Sequence, residues 1–302
     1  MEVFKIRGGR SLSGSVKVSG SKNAALPLFA ATLLSSEESI LENVPDLSDV
    51  RFMAEILREL GADVEKVDQT TWKINPASIV HSAPYELVRK MRASVCLLGP
   101  LVGRLRRAEI PMPGGCVIGN RPIDLHIRAM KRLGAEVELK GGVVHIDAKN
   151  LRGNSIFMGG RHGSTVTGTA NAIMAATLAP GKTTIDSAAC EPELADLCNM
   201  LVSMGANING IGSHMIEIVG VESLQGCRHR VIPDRIETAT YVLAAAITNG
   251  KVLIRDGRTD HLGAFLNVMS ECGVMVKPDG PDNLSVEVCD HGLKSFEAIT
   301  LP

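Results

Sequence analysis

Four amphipathic stretches of this chain end on one phrase. Leu60-Gly61-Ala62-Asp63-Val64, Leu133-Gly134-Ala135-Glu136-Val137, Met204-Gly205-Ala206-Asn207-Ile208 and a looser Cys272-Gly273-Val274-Met275-Val276 each follow apolar residues at helical spacing. Glycine in that place ends a helix. The four glycines lie 73, 71 and 68 residues apart, a period near 70 residues. Such a period means that one structural unit is repeated. After each phrase come two short strand-like runs, at 63–67 and 72–74 in the first unit and at 136–139 and 143–146 in the second. Before each phrase lies a helix of small residues, at 24–34, 93–104, 167–178 and 238–248, followed by a strand at 39–44, 108–112, 183–186 and 251–255. The unit reads helix, strand, helix, strand, strand, with another strand ahead of the first helix. This is an α/β (α+β) pattern of packed layers. The small-residue helices have little bulk and are expected to pack closely at a domain centre, with sheet outside.

Composition narrows the class. Of 302 residues, 45% are hydrophobic, so there is ample core material and no signature of disorder. Basic and acidic residues balance at 32 against 33, which argues against binding nucleic acid through bulk charge. No apolar run approaches the roughly 18 residues of a membrane span, and Met1-Glu2-Val3-Phe4-Lys5 has no secretory core. Seven cysteines without a Cys-x-x-Cys pair suit reduced thiols in a cytoplasmic protein better than a disulfide frame or a metal site.

Three helix starts carry basic residues. Gly20-Ser21-Lys22-Asn23 precedes the first helix; Ser21 or Asn23 can cap it, and Pro27 falls early enough to be tolerated. Free N–H groups at a helix start suit phosphate or carboxylate, and Lys22 adds a full charge; the alternative is a surface lysine beside an ordinary cap. Asn120-Arg121-Pro122-Ile123-Asp124-Leu125-His126 opens a helix expected over 122–133, with proline in its favoured first turn. Arg121 stands at that positive end. Asp124 is either a first-turn acid or an acceptor for a hydroxyl, and His126 either orients a ligand or is structural. Gly159-Gly160-Arg161-His162-Gly163-Ser164-Thr165 precedes the third helix. Its glycines allow close backbone approach and Arg161 can fork two phosphate oxygens, or the stretch is a turn with a solvated arginine. It lacks Walker spacing.

The stretch Pro111-Met112-Pro113-Gly114-Gly115-Cys116-Val117-Ile118-Gly119 interrupts the second repeat. A thiol in glycine-rich chain near Arg121 has the setting for a depressed pKa and for work as nucleophile or acid. The other six cysteines are expected to be buried and inert, Cys96, Cys198 and Cys272 on helix apolar faces.

Together, Ser19-Gly20-Ser21-Lys22-Asn23-Ala24-Ala25-Leu26-Pro27, Met91-Arg92-Ala93-Ser94, the Pro113-to-His126 stretch and Pro233-Asp234-Arg235-Ile236-Glu237-Thr238 resemble the UDP-N-acetylglucosamine enolpyruvyl transferases. The Cys116 stretch separates them from the sister shikimate-pathway transferases. The resemblance runs from Phe4 to the last residue. It implies a two-domain inside-out α/β barrel, each domain built from three repeats around buried helices. The first domain is then 22–232, complete with three repeats. The second is 1–21 plus 233–302, with one repeat where the family has three, and its helix over 236–248 should leave Tyr241, Val242, Leu243 and Ile247 partly exposed.

The implied reaction moves the enolpyruvyl group of phosphoenolpyruvate to the 3-hydroxyl of UDP-N-acetylglucosamine, the first committed step of peptidoglycan synthesis, with no metal or organic cofactor. By resemblance Cys116 is the general acid and can hold phosphoenolpyruvate covalently. Lys22, Asn23 and Arg121 bind phosphoenolpyruvate; Arg92, Arg121, Pro122, Ile123, Asp124, Leu125, Arg161 and Gly163 bind the UDP-sugar; His126 supports them. The family's lysine and serine before the third helix are replaced by Gly159-Gly160-Arg161-His162-Gly163. The family's aspartate base and later arginines would lie beyond Pro302, so the chain is expected to be part of a longer one. A non-catalytic UDP-sugar-binding paralogue is the reading from another class. No nucleic-acid or membrane partner is expected.

Overall fold

The computed structural model describes residues 3–114, 122–161, 163–280, 282–289 and 292–296. The chain divides into two compact units, residues 21–232 and residues 1–20 with 233–302. Ser21 goes with the larger unit because its hydroxyl caps that unit's first helix, accepting from the Ala24 N–H at 3.3 Å.

The larger unit holds helices α1 (Lys22–Thr32), α2 (Ser48–Glu59), the single turn α3 (Tyr85–Val88), α4 (Leu98–Leu105), α5 (Asp124–Arg132), α6 (Val166–Thr177) and α7 (Pro192–Ser203). Three small sheets surround them. In the first, Ser39–Glu42 lies between a parallel Arg228–Arg230 and an antiparallel Trp72–Asn75, which also pairs Asp63–Lys66. In the second, Val143–Asp147 is the middle strand between Arg107–Pro111 and Glu136–Lys140. In the third, Lys182–Asp186 pairs Ser155–Phe157 in parallel and Met215–Val219 antiparallel, with Asn207–Asn209 beyond. One sheet per repeat is the arrangement that the sequence period demands.

The small-residue helices occupy the middle. Every residue of α1 from 24 to 32 and of α6 from 168 to 177 is buried. Close approach depends on glycine: a methyl group on Gly99 of α4 would lie 2.7 Å from the Asn171 carbonyl oxygen of α6. The buried hydroxyls of Thr32 and Thr177 donate back to the carbonyls of Phe29 and Met174, both at 2.7 Å, so neither is left unsatisfied. Beyond the end of α1, Arg104 donates to the carbonyls of Leu33, Ser35 and Pro76 at 3.0, 2.6 and 2.8 Å. A cation on these carbonyls complements a helix C-terminus.

Some expectations give way here. The single helix over 93–104 is a 3-10 segment, Arg92–Leu97, followed by α4. Pro100 has no N–H to continue the ladder, and the Gly99 N–H goes to the Asn171 side chain at 2.6 Å instead of to the Val95 carbonyl. The helix expected from 122 starts at Asp124, because Ile123 has φ −106° and ψ 18°, outside the helical range; Pro122 therefore precedes the helix. Pro27, the sixth residue of α1, is tolerated as expected: the helix runs unbroken from Lys22 to Thr32, although proline has no N–H to offer the Asn23 carbonyl.

The smaller unit has its own core. Its sheet runs Ser13–Lys17, Lys251–Arg255, Asn283–Val288, Val274–Pro278, with the first pair parallel and the others antiparallel. Helices α8 (Arg235–Ile247) and α9 (Gly263–Glu271) complete it. Asp234 caps α8, accepting from the N–H groups of Ile236 and Glu237 at 2.8 and 3.0 Å. Leu243 and Ile247 are 43% and 75% exposed, but Val242 is fully buried against the sheet, contrary to expectation. No helix among the described residues is long and apolar enough to cross a membrane.

Candidate active site

Lys22 opens α1 and is half-buried, with Asn23 exposed beside it. The Lys22 ammonium lies 3.1 Å from Oδ2 of Asp49 in the first turn of α2. Asp49 escaped the sequence reading. Its carboxylate pairs with the lysine at the helix start and is a group that an incoming anion would compete with.

A second group forms where α5, α6 and the 3-10 segment meet. His126 on α5 is 2% exposed. Its Nδ1 is 2.8 Å from Asn171 Nδ2 and its Nε2 is 3.2 Å from Thr167 Oγ1. Burial, with the positive field of Arg92, pushes the imidazole pKa down to about 4, although Asp124 pulls the other way. The ring is therefore neutral at physiological pH. Asp124 itself is exposed at the start of α5, with Leu125 half-buried next to it. His126 thus belongs to the buried support of this corner, while Arg92 is half-buried and Asp124 exposed.

The 159–164 hairpin lies against the same corner. Gly159–Gly160 pairs with Gly163–Ser164, and Arg161 is exposed at the tip. A methyl group on Gly160 would lie 3.0 Å from Leu125 Cδ1, so the hairpin sits close against the Leu125 side chain of α5. Arg128 fastens the hairpin from behind, donating from Nη2 to the carbonyls of Phe157 and Gly159 at 2.6 and 2.7 Å. The hairpin runs into α6, whose cap is Thr165, accepting from the Gly168 N–H at 3.2 Å. The hairpin thus sets Arg161 a few residues ahead of the start of a twelve-residue helix, whose free N–H groups favour an anion.

The structure therefore brings Arg92, Asp124, Leu125, His126, Arg161 and Gly163 into one neighbourhood. Lys22 and Asn23 stand on α1. Pro122 is exposed and Ile123 buried just ahead of α5. Cys116, Arg121 and His162 lie outside the described residues. The described foot of their stretch is anchored: a methyl group on Gly114 would lie 2.1 Å from the Arg89 carbonyl oxygen. Asn171 and Thr167 also escaped the sequence reading, although an asparagine within a run of alanines on a buried helix was a usable signal.

The remaining thiols are not uniformly buried, as had been expected. Cys96, Cys198 and Cys272 are, and burial pushes the first two up to about 12. Cys227 and Cys289 are half-buried, and Cys190 is exposed because it lies just ahead of α7, in the chain entering that helix rather than on a packed face. Among the described residues, no three His, Cys, Asp or Glu side chains gather as a metal site would require.

The family model for EPSP synthase (3-phosphoshikimate 1-carboxyvinyltransferase) matches residues 6–301. A UDP-N-acetylglucosamine 1-carboxyvinyltransferase of Methylacidiphilum infernorum is 48% identical over 302 residues, which cover 99% of this chain and 70% of that protein. One from Akkermansia muciniphila is 49% identical, covering 90% of this chain and 64% of its own length. In fold, the enolpyruvyl transferase NikO of Streptomyces tendae superposes with a TM-score of 0.85 at 25% identity, over 96% of this chain and 68% of that one. An EPSP synthase of Acinetobacter baumannii gives 0.70 at 16% identity, over 93% and 66%, a likeness of fold. The repeats, the sheets around buried helices and these matches together place the chain in the enolpyruvyl transferase family, alongside its UDP-N-acetylglucosamine 1-carboxyvinyltransferase members.

Proposed function

We infer that this chain carries out enolpyruvyl transfer from phosphoenolpyruvate to the 3-hydroxyl of UDP-N-acetylglucosamine. The hydroxyl oxygen adds to C2 of phosphoenolpyruvate while C3 takes a proton. C3 then loses a proton as the C2–O bond to phosphate breaks, so phosphate leaves and the enol ether remains. Such a sequence needs a general acid and a general base, of which this chain's residues are assigned the acid. Cys116 is assigned the acid and a covalent adduct with phosphoenolpyruvate. Lys22, Asn23 and Arg121 are assigned to phosphoenolpyruvate. Arg92, Pro122, Ile123, Asp124, Leu125, Arg161 and Gly163, with Arg121, are assigned to the UDP-sugar. The reading calls for no metal or organic cofactor and places the protein in the cytoplasm, at the entry to cell-wall synthesis and so to cell shape and division.

What carries this reading is the corner to which the 3-10 segment brings Arg92, α5 brings Asp124, α6 brings Thr167 and the hairpin brings Arg161, in a chain 48% identical to a UDP-N-acetylglucosamine enzyme over nearly all its length. The sister shikimate activity is disfavoured by the same identity. Peptide mapping tests the choice. With phosphoenolpyruvate and UDP-N-acetylglucosamine present, added mass should appear on the Cys116 peptide. A limiting thiol reagent should label Cys116 before the exposed Cys190, whose pKa is raised by partial burial and by Glu191. The UDP-sugar should change that rate and 3-phosphoshikimate should not. Labelling of Cys190 first, or a response to 3-phosphoshikimate alone, would overturn the assignment.

A further inference from the structure

The Asn171 side chain fills the break between the 3-10 segment and α4. Its Oδ1 accepts from the Gly99 N–H at 2.6 Å, and its Nδ2 donates to the Val95 carbonyl at 2.9 Å. In a continuous helix those two backbone groups would bond to each other. A backbone N–H can only donate and a carbonyl can only accept, so the amide cannot be turned over. Its second Nδ2 hydrogen then points to His126 Nδ1, 2.8 Å away. That nitrogen must supply the lone pair, which leaves the proton of the neutral ring on Nε2. Nε2 faces Thr167 Oγ1 at 3.2 Å.

We propose that Asn171 is a positioning residue: it fixes the His126 proton on Nε2 and thereby turns the Thr167 hydroxyl into a donor toward an anionic group at the start of α6. The inference rests on the nucleotide reading above and assigns this hydroxyl to the diphosphate. Thr167 is the second residue of α6, where backbone N–H groups favour an anion. With His126 donating to its oxygen, the threonine keeps its own proton for the ligand. With the ring proton on Nδ1, Thr167 would donate to Nε2 and present only lone pairs to a phosphate. One rigid chain of donors, from the Gly99 N–H to the Thr167 O–H, selects the first arrangement.

The test uses the 302-residue chain labelled with 15N-histidine, with His126→Gln to assign its resonances. UDP and uridine are the probes, so that the diphosphate is read separately from the base. The wild type should show a pyridine-like Nδ1 and a pyrrole-like Nε2 at His126, and Asn171→Ala should mix the two forms. Thr167→Val should weaken UDP about tenfold, the size of one charge-assisted hydrogen bond, and leave uridine unmoved. Thr167→Ser should restore UDP. Asn171→Ala should weaken UDP less, and adding it to Thr167→Val should cost nothing more, because the two act as one chain. If Asn171→Ala fails to fold, His126→Leu against His126→Gln replaces it: glutamine retains a donor at the Nε2 position and should lose less affinity than leucine. A proton on Nδ1 in the wild type overturns the proposal, as do additive losses. The expected tautomer with UDP affinity indifferent to Thr167→Val overturns the proposal alone. Failure of the wild type to bind UDP at all overturns the nucleotide reading and the proposal with it.

Discussion

Helices α6 and α8 are close in composition and come to different ends. Both are rich in alanine and threonine, and both are capped by a side-chain oxygen, from Thr165 and from Asp234. Yet α6 buries ten successive residues, while α8 buries only Thr238, Val242, Ala245 and Ala246, one face of a helix. The difference lies in the neighbours. α6 is packed by α1, α4, α5 and α7 as well as by sheet, and glycines in α4 let the backbones approach. α8 rests chiefly on the strands Lys251–Arg255 and Asn283–Val288. Small residues make burial on all sides possible, and surrounding helices make it happen.

The comparison predicts where the molecule is most easily damaged. Ile173 of α6 is fully buried. Ile173→Ala should cost the larger unit about 3–4 kcal/mol, since the close-packed helices cannot collapse into the space. Denaturant unfolding read by hydrogen exchange would separate this unit from the smaller one. A loss below about 1 kcal/mol would mean that α6 is no better packed than α8.

A pH effect of similar size belongs to His126, the α5 residue held against α6. Burial pushes the His126 pKa down to about 4 in the fold from the ordinary 6.5, and Arg92, Asp124, Asn171 and Thr167 are the groups that face it. Between those values the unfolded chain binds a proton that the folded chain refuses. The larger unit should therefore lose about 3 kcal/mol as pH falls from 6.5 to 4, and the loss should level off below that. His126→Gln should flatten this part of the slope. An unchanged slope in that variant would show the buried ring to be solvated.

Close helix approach gives the next test. Gly99→Ala would place a methyl group 2.7 Å from the Asn171 carbonyl oxygen and 2.9 Å from its Oδ1. Neither atom has room to move, so a loss of about 2 kcal/mol is expected from overpacking. In the smaller unit, a methyl group on Gly263 at the start of α9 would meet nothing within 4 Å. There Gly263→Ala should be neutral or stabilise by a few tenths of a kcal/mol. Equal effects at the two glycines would remove the distinction between the units.

These tests follow the line between what the sequence displayed and what it concealed. The repeat, the strands and the buried helices were legible because each rests on local period and on one helix-ending glycine. The Lys22 and Asp124 positions were legible because charge at a helix start is a local pattern, whereas Arg92 came only with the family resemblance. The break at Gly99 was not, because its cause, Asn171, lies 72 residues away. The Lys22–Asp49 pair spans 27 residues and has the same character. Val242 was misjudged because period alone does not say which face of α8 meets the sheet. Cys190 was misjudged because a cysteine ahead of a helix carries no periodic signal.

The smallest expected effect concerns the uncovered face of α8. Leu243, Ile247, Met269 and Phe296 line an apolar groove of about 400 Å³ in the smaller unit. Ile247 is 75% exposed, so its side chain gives up little contact with water on folding. Ile247→Ser should change the stability of that unit by no more than about 0.5 kcal/mol, the ordinary range for a surface position. The same substitution should lower the binding of a hydrophobic dye, because it removes part of a contiguous apolar surface. Dye binding and unfolding thus move independently at α8, whereas at Ile173 of α6 a polar substitution should abolish folding of the unit outright. If Ile247→Ser destabilises the unit by 2 kcal/mol or more, on the scale of a buried aliphatic side chain, the side chain is covered in solution and the contrast between α6 and α8 dissolves.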